Sequence, residues 1–432
     1  MTAAFTFPGQ GSQTVGMGKA LADTFPAACA VFDEVDAALG EKLSATIWEG
    51  PAETLQLTEN AQPALMAVSL ATLRVLEAEA GVSVARDAAF VAGHSLGEYS
   101  ALAAAGSFTI SDTARLLRTR GLAMQKAVPV GVGAMAALLG LDYDAAVAVA
   151  EEAAQGQVCQ AANDNGGGQV VVSGDRAAVE RALEIAKARG AKRAMLLPVS
   201  APFHCRLMQP AADVMAKALA DVTIKRPVSP LVSNVLAMPI TDPDEIRRRL
   251  IEQVTGTVRW RESVAYMASH GVTRFFEIGA GKVLSGLVKR IADGAVGISV
   301  GGPNDIASAK DALAAAQMAQ DQPDQRDDAE AKQCRAHSAV HDLDVPGIEH
   351  RGLLHADADR GSSRGARARA ADQRVPAHGA RRPDHAPHRE RNLRQRFGDL
   401  VLREQRDRRA GRYLVDVGRA ALHPAGGRNS RL

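Results

Sequence analysis

Apolar and polar positions in residues 1–320 fall into short blocks that read alternately as strands and helices. Residues 3–7 (Ala-Ala-Phe-Thr-Phe) form a brief apolar run suited to a buried strand, and residues 88–92 repeat that character. Residues 63–80 predict a helix with Pro63 in its first turn, an apolar stripe through Leu65, Val68, Leu73 and Leu76, and Gly81 as its stop. Residues 96–105 read as a further helix closed by Gly106, and another begins at Ser111 and carries Arg118 and Arg120 ahead of Gly121. Within 131–199 the order is strand 134–139, helix 143–154, strands 158–162 and 169–172, a helix capped by Asp175, and strand 194–199. That βαββαβ order is ferredoxin-like. Strands at 231–235, 274–278 and 298–300, with helices at 264–268 and 283–291, complete the pattern. The expectation is an α/β protein with a mostly parallel sheet covered on both faces. Residues 1–130 and 200–315 form its large unit, with 131–199 inserted as the small one.

Composition changes this picture in one place. The net charge of +2 over 432 residues hides a break near Gln317: from Asp321 onward there are 22 Arg, 1 Lys and 17 acidic residues, and eight of the eleven histidines. Apolar periodicity fades there, and 316–432 reads as a disordered, Arg-rich tail. Its charges are interleaved rather than segregated, and Phe397 and Tyr413 are its only aromatic residues, so a nucleic-acid or membrane arm is disfavoured. Arg, Ala, Gly, Pro and His are what GC-rich codons supply when read out of frame, and the tail is expected to be a frameshifted or otherwise non-native extension. The four cysteines (Cys29, Cys159, Cys205, Cys334) form no C-x-x-C pair, which gives neither a disulfide framework nor zinc spacing. No metal or other cofactor is expected. With no run of eighteen apolar residues and no charged leader before residue 3, the chain reads as cytoplasmic.

The candidate chemistry centres on Gly93-His94-Ser95-Leu96-Gly97, a G-x-S-x-G between a strand and a helix. That context makes it a nucleophile elbow of the α/β-hydrolase-like kind, with Ser95 Oγ exposed at the strand's carboxyl end. A base must come from His94, His204 or His270. His94 adjoins the serine and diverges from it, and His270 ends a helix before Gly271 as surface histidines do; His204, in a loop after a strand, is the favoured partner. The loop Pro8-Gly9-Gln10-Gly11-Ser12-Gln13 fails the Walker pattern and is either an ordinary turn or a source of backbone N–H groups beside Ser95. Arg120 reads as a surface charge unless the backbone turns at Gly121 toward the cleft.

Taken together, 7–13, the 93–99 elbow, Arg120-Gly121 with Met124-Gln125, Asn163-Asp164-Asn165, Phe203-His204-Cys205 and Gly281-Lys282-Val283-Leu284 resemble the malonyl-CoA:acyl carrier protein transacylase family over about residues 3–313. The resemblance implies Ser95 as nucleophile, His204 as its base, Arg120 as ligand of the malonyl carboxylate, and backbone N–H groups of Gln10 and Leu96 as oxyanion hole. It also implies that Gln253 orients His204 through its backbone carbonyl, and that malonyl-CoA and acyl carrier protein are the partners of a monomeric enzyme supplying fatty acid biosynthesis. Basic residues such as Lys192, Arg193 and Arg206 are candidate carrier contacts, with scattered solvated charge as the plain alternative. Two other function classes share some of these features: a serine esterase or thioesterase, which uses the same elbow, and a non-catalytic module that binds carrier protein.

A chain cut after Ala316 is expected to fold and to transfer malonyl groups at the full-length rate. Unfolding or loss of turnover on truncation, measured side by side with the intact chain, would give the tail a role.

Overall fold

The computed structural model describes residues 3–321; of the Arg-rich tail that the sequence places at 316–432, residues 322–432 lie outside the described residues. Among the described residues there are ten strands: β1 (Ala3–Phe7), β2 (Phe90–Gly93), β3 (Gly133–Leu139), β4 (Cys159–Asp164), β5 (Gln169–Asp175), β6 (Arg193–Leu196), β7 (Leu231–Val232), β8 (Pro239–Ile240), β9 (Arg274–Ile278) and β10 (Val296–Val300). Six of them make one sheet in the order β10-β9-β1-β2-β7-β8, parallel except for the short β8. β1 is at its heart because all five of its residues are buried, as a strand covered on both faces must be. The other four make an antiparallel sheet ordered β4-β5-β3-β6, with two helices packed on one face around Ala146, Val149, Val179 and Ala182. This is the ferredoxin-like order, and it is inserted between β2 and β7 of the parallel sheet.

Most elements fall within a residue or two of the apolar pattern, and the departures have physical causes. The helix placed at 63–80 is Thr58–Ala80, so Pro63 lies inside it and removes one backbone hydrogen bond rather than opening the first turn. Asp175 sits at a helix N-cap position, yet its carboxylate accepts from Val158 N at 2.7 Å, tying β5 to the start of β4 instead of capping. The strand expected over 231–235 is pared to Leu231–Val232, and polar Ser233 and Asn234 follow it into the interior. Helices Lys19–Thr24, Pro26–Leu39, Leu43–Glu49 and Ala52–Gln56 fill a stretch with no expected element, packing Leu21, Val31, Phe32, Leu43 and Ile47 into the main core. At the other end, helix Asp305–Asp321 runs past the composition break at Gln317; Ile306, Ala309 and Leu313 are its buried side chains.

Arg120 does not depend on a turn of the backbone. Helix Ile110–Ala127 continues through Gly121 without interruption. A Cβ at Gly121 would stand 2.4 Å from Glu59 Cα and 2.7 Å from Thr58 O, so the missing side chain lets this helix touch the backbone of Thr58–Ala80. Close approach at residue 121 is what carries its neighbour, Arg120, into the interior.

Gly121→Ala should therefore push two backbones apart, at a cost of about 1–3 kcal/mol for overpacking. A thermal unfolding midpoint equal to that of the parent chain would count against the contact.

Candidate active site

The loop after β2 is a sharp reversal that places Ser95 at φ +55°, a left-handed conformation that costs a non-glycine residue energy. The flanking glycines make it feasible. A Cβ at Gly93 would fall 1.9 Å from Gly97 O, and one at Gly97 would fall 2.3 Å from Phe7 O. Ser95 N donates to Asn234 Oδ1 at 2.8 Å, and Asn234 Nδ2 donates to Gly93 O at 2.7 Å, so one asparagine clamps both limbs of the reversal.

Ser95 Oγ and His204 Nε2 are 2.7 Å apart. His204 is also held in the left-handed region, at φ +60°. Its Nδ1 faces two carbonyls, Gln253 O at 2.9 Å and Gly256 O at 3.2 Å. Carbonyls only accept, so Nδ1 carries the proton and Nε2 is left as acceptor for the serine hydroxyl. Burial, and then the charge of Arg120, depress the His204 pKa to about 3, which keeps the imidazole neutral at physiological pH. Of the other two histidines weighed as bases, His94 turns away from the serine to Asn165 Oδ1 at 2.9 Å, and burial lowers its pKa. His270 is exposed and stacks on Tyr266 with ring centroids 4.0 Å apart.

Arg120 is 1% exposed. Its Nη1 donates to Gln62 Oε1 and its Nη2 to Gln253 Oε1, both at 2.7 Å, and Nη2 also reaches Ser95 Oγ at 3.1 Å. The ring of Tyr99 lies 5.7 Å from the guanidinium carbon, in cation–π range. Nε has no hydrogen-bond partner among the described residues. The arginine is therefore not unpaired, but its direct hydrogen-bond acceptors are uncharged. Burial draws its pKa below the ordinary value, which makes a nearby anion favourable.

These groups open onto a cavity of about 410 Å³ whose lining includes Gln10, Ser95, Leu96, Arg120, Phe203 and His204. The backbone N–H groups of Gln10 and Leu96 make no backbone hydrogen bond among the described residues. The Gln10 loop is braced: Gly11 N donates to Gln13 Oε1 at 2.7 Å, and Thr58 Oγ1 donates to Gln10 Oε1 at 2.9 Å. Through Gln62 Nε2, which donates to Thr58 Oγ1 at 2.9 Å, that loop is linked to the arginine. All six residues singled out from the sequence thus meet: Ser95, His204, Arg120 and Gln253 in one network of hydrogen bonds, with Gln10 and Leu96 beside it.

Sequence reasoning missed Gln62, Asn234, Glu98 and the second carbonyl, Gly256 O. Asn234 carried a signal, since polar residues just past the carboxyl end of a parallel strand are where α/β sheets bind ligands. Gln62 carried a weaker one, a lone amide on a buried face beside Ala61, Leu65 and Met66.

Comparison with known proteins bears on this arrangement. The acyl transferase domain family matches residues 4–342. A malonyl CoA-acyl carrier protein transacylase of Escherichia coli K12 is 50% identical over 307 residues, 71% of this chain and 98% of that protein. The crystal structure of an acyl-carrier-protein S-malonyltransferase from Bartonella henselae is 57% identical with a TM-score of 0.71, covering 73% of this chain and 100% of its own. A malonyl-transacylase solved in complex with its type II polyketide acyl carrier protein is 42% identical with a TM-score of 0.70, over 72% of this chain and 99% of that one. With half of the aligned residues identical across nearly the whole of such a relative, and with the fold in common, the chain belongs to the malonyl-CoA:acyl carrier protein transacylase family of acyltransferases.

Proposed function

We propose that this acyltransferase moves the malonyl group from malonyl-CoA to the phosphopantetheine thiol of acyl carrier protein, through an ester on Ser95, and so supplies fatty acid biosynthesis. The observation that carries the substrate assignment is a fully buried guanidinium 3.1 Å from the nucleophile with no carboxylate in direct contact. A planar guanidinium takes a carboxylate bidentately, and the malonyl group brings that carboxylate one methylene from the reacting carbonyl.

Chemistry follows from the hydrogen bonds. His204 Nε2 takes the Ser95 proton as Oγ attacks the thioester carbonyl, and the negative oxygen of the tetrahedral intermediate is received by the Gln10 and Leu96 amides. Collapse expels CoA with the proton from His204. The carrier thiol then gives its proton to the same nitrogen, attacks the ester and leaves as the malonyl thioester, restoring Ser95. The carbonyls at Nδ1 fix the tautomer and ring position, the part an Asp plays in a Ser-His-Asp triad. No helix among the described residues is long and apolar enough to cross a membrane, in keeping with a cytoplasmic site of action. Phe203, buried beside the base, would crowd an α-methyl branch and disfavour methylmalonyl by about 1–3 kcal/mol.

Ser95→Ala should form no acyl-enzyme with labelled malonyl-CoA, and His204→Ala should fold while losing roughly 2–4 orders of magnitude in turnover. The label, followed by mass on the intact protein, decides between readings: stable acylation and transfer support a transferase, free malonate a thioesterase, and no reaction a binding module. Labelling of Ser95→Ala at the parent level sinks the nucleophile assignment.

Arg120→Ala should lose malonyl transfer and lower the malonyl-to-acetyl ratio of kcat/KM by roughly 10²-fold or more, since a site built around a charged partner rejects analogues lacking it. An unchanged ratio would return Arg120 to a structural role.

A further inference from the structure

Glu98 takes no part in the proton transfers above, yet it is a carboxylate with no exposed surface on the first turn of helix Gly97–Ala104. One of its oxygens, Oε1, accepts from Asn234 N at 3.0 Å, and the other, Oε2, from Gln253 Nε2 at 2.5 Å. The same Gln253 nitrogen donates to Ser95 O at 2.8 Å and lies 3.3 Å from Asn234 Oδ1. Its amide oxygen accepts from Arg120 Nη2.

Donor and acceptor chemistry leaves one orientation for this amide. An ionised carboxylate and a backbone carbonyl only accept, so both need the NH2 end; a guanidinium only donates, so it needs the oxygen. We propose that Glu98 is a positioning residue for Arg120: by accepting from Gln253 Nε2 it fixes the amide with its oxygen toward the guanidinium, and so prepares the site for the substrate carboxylate. The proposal rests on Arg120 being the carboxylate ligand. The hydrogen bonds of the Glu98 carboxylate go to Asn234 and Gln253, which are not among the residues lining the cavity, and only its backbone N–H reaches Ser95, donating to Ser95 O at 3.1 Å. The carboxylate acts at one remove, which keeps its negative charge from occupying Arg120 directly.

Glu98→Gln separates this role from simple packing. The backbone N–H of Asn234 still requires an acceptor, so the new amide keeps its oxygen there and turns its NH2 on Gln253. Two NH2 groups cannot face each other. Gln253 must rotate, presenting its own NH2 to Arg120, and the guanidinium loses an acceptor and meets a donor. Packing volume and shape are unchanged by the substitution.

The test is steady-state transfer from malonyl-CoA and acetyl-CoA by the purified enzyme, its Glu98→Gln, Gln253→Leu and Arg120→Ala variants, and the Glu98→Gln/Gln253→Leu double variant. Glu98→Gln should lower the malonyl-to-acetyl ratio of kcat/KM by at least about tenfold, the cost of one charge-assisted hydrogen bond, with the loss in KM for malonyl-CoA. Gln253→Leu keeps the backbone carbonyl for His204 and should show the same selective loss, and the double variant should be no worse, because both act through one contact. A ratio left unchanged, equal losses for both thioesters, or additive losses in the double variant overturns the proposal. Should Arg120→Ala leave the ratio intact, it is the carboxylate-ligand reading beneath it that fails.

If Glu98→Gln does not fold, the unaltered enzyme still decides. Burial raises the Glu98 pKa to about 7 against the pull of Arg120 and of its hydrogen bonds. The groups facing it are Arg120 from helix Ile110–Ala127, Gln253 from helix Pro243–Gln253, Ser233 and Asn234 after β7, and Tyr99 on its own helix. Among these, burial raises the Tyr99 pKa further above neutral and Arg120 stays charged, so neither changes state near pH 7. Protonation turns Glu98 Oε2 into a donor toward Gln253, as the Gln substitution does. The malonyl-to-acetyl ratio should be high above neutral and fall as pH drops from about 8.5 to about 5.5; a flat ratio across that window refutes the proposal.

Discussion

A cation with almost no exposed surface, held beside the Ser95 hydroxyl, is the constraint around which this site is built. Removing an arginine from water costs several kcal/mol unless its donors are met, and a carboxylate in contact would meet them while consuming the charge. Here the acceptors are two glutamine carbonyls and a serine hydroxyl. Neutral acceptors meet Nη1 and Nη2, though not Nε, and leave the field of the cation in the cavity. The same field holds the base down: Arg120 is the second cause, after burial, of the low His204 pKa. An arriving carboxylate would offset that field, so under the proposed function the group that takes the substrate carboxylate would also bear on the readiness of His204.

Two backbone strains set the geometry of the chemistry. Ser95 and His204 both sit at positive φ, and both are over-determined by their surroundings. For Ser95 the surroundings are the packed glycines and the Asn234 clamp; for His204 they are two carbonyls on one ring nitrogen. Neither backbone conformation is held by the arginine, whose influence on Ser95 and His204 is through the Oγ contact and its charge.

Much of this was legible in the sequence, for reasons that can be named. Short apolar runs with glycine just beyond them gave β1, β9 and the elbow because a parallel sheet covered on both faces is built mostly of apolar side chains, with Thr6 and Glu277 buried there on hydrogen bonds to Phe276 O and to the Leu284 and Ser285 amides. The βαββαβ order was readable because each of its elements has turn residues at both ends. What the pattern could not show was contact over distance. Gly121 looked like a turn when taken with its sequence neighbours, and only the backbone of Thr58–Ala80 beside it reveals a close-packing glycine. Asp175 has the chemistry of a cap but spends its carboxylate on Val158 N. Gln62 and Glu98 look like unremarkable helix residues until the partner that each one satisfies is brought to it by the fold.

The absence of an acid from the Ser-His pair has its own structural logic. Gln253 is the last residue of helix Pro243–Gln253, and carbonyls in the final turn of a helix have no partner further along it. Such carbonyls are at the negative end of the helix dipole. Presenting the Gln253 carbonyl to His204 Nδ1 therefore orients the ring and, under the proposed mechanism, would favour positive charge on it as the serine proton arrives, without an ionised partner on the ring. An Asp in that position would place a negative charge on the far side of the imidazole from an incoming malonyl anion, in a site whose one buried cation already has Glu98 one amide away. Using dipoles in place of a charge spares Arg120 a competing carboxylate at the imidazole, the condition under which the proposed dicarboxylic half-thioester would be preferred over a neutral one.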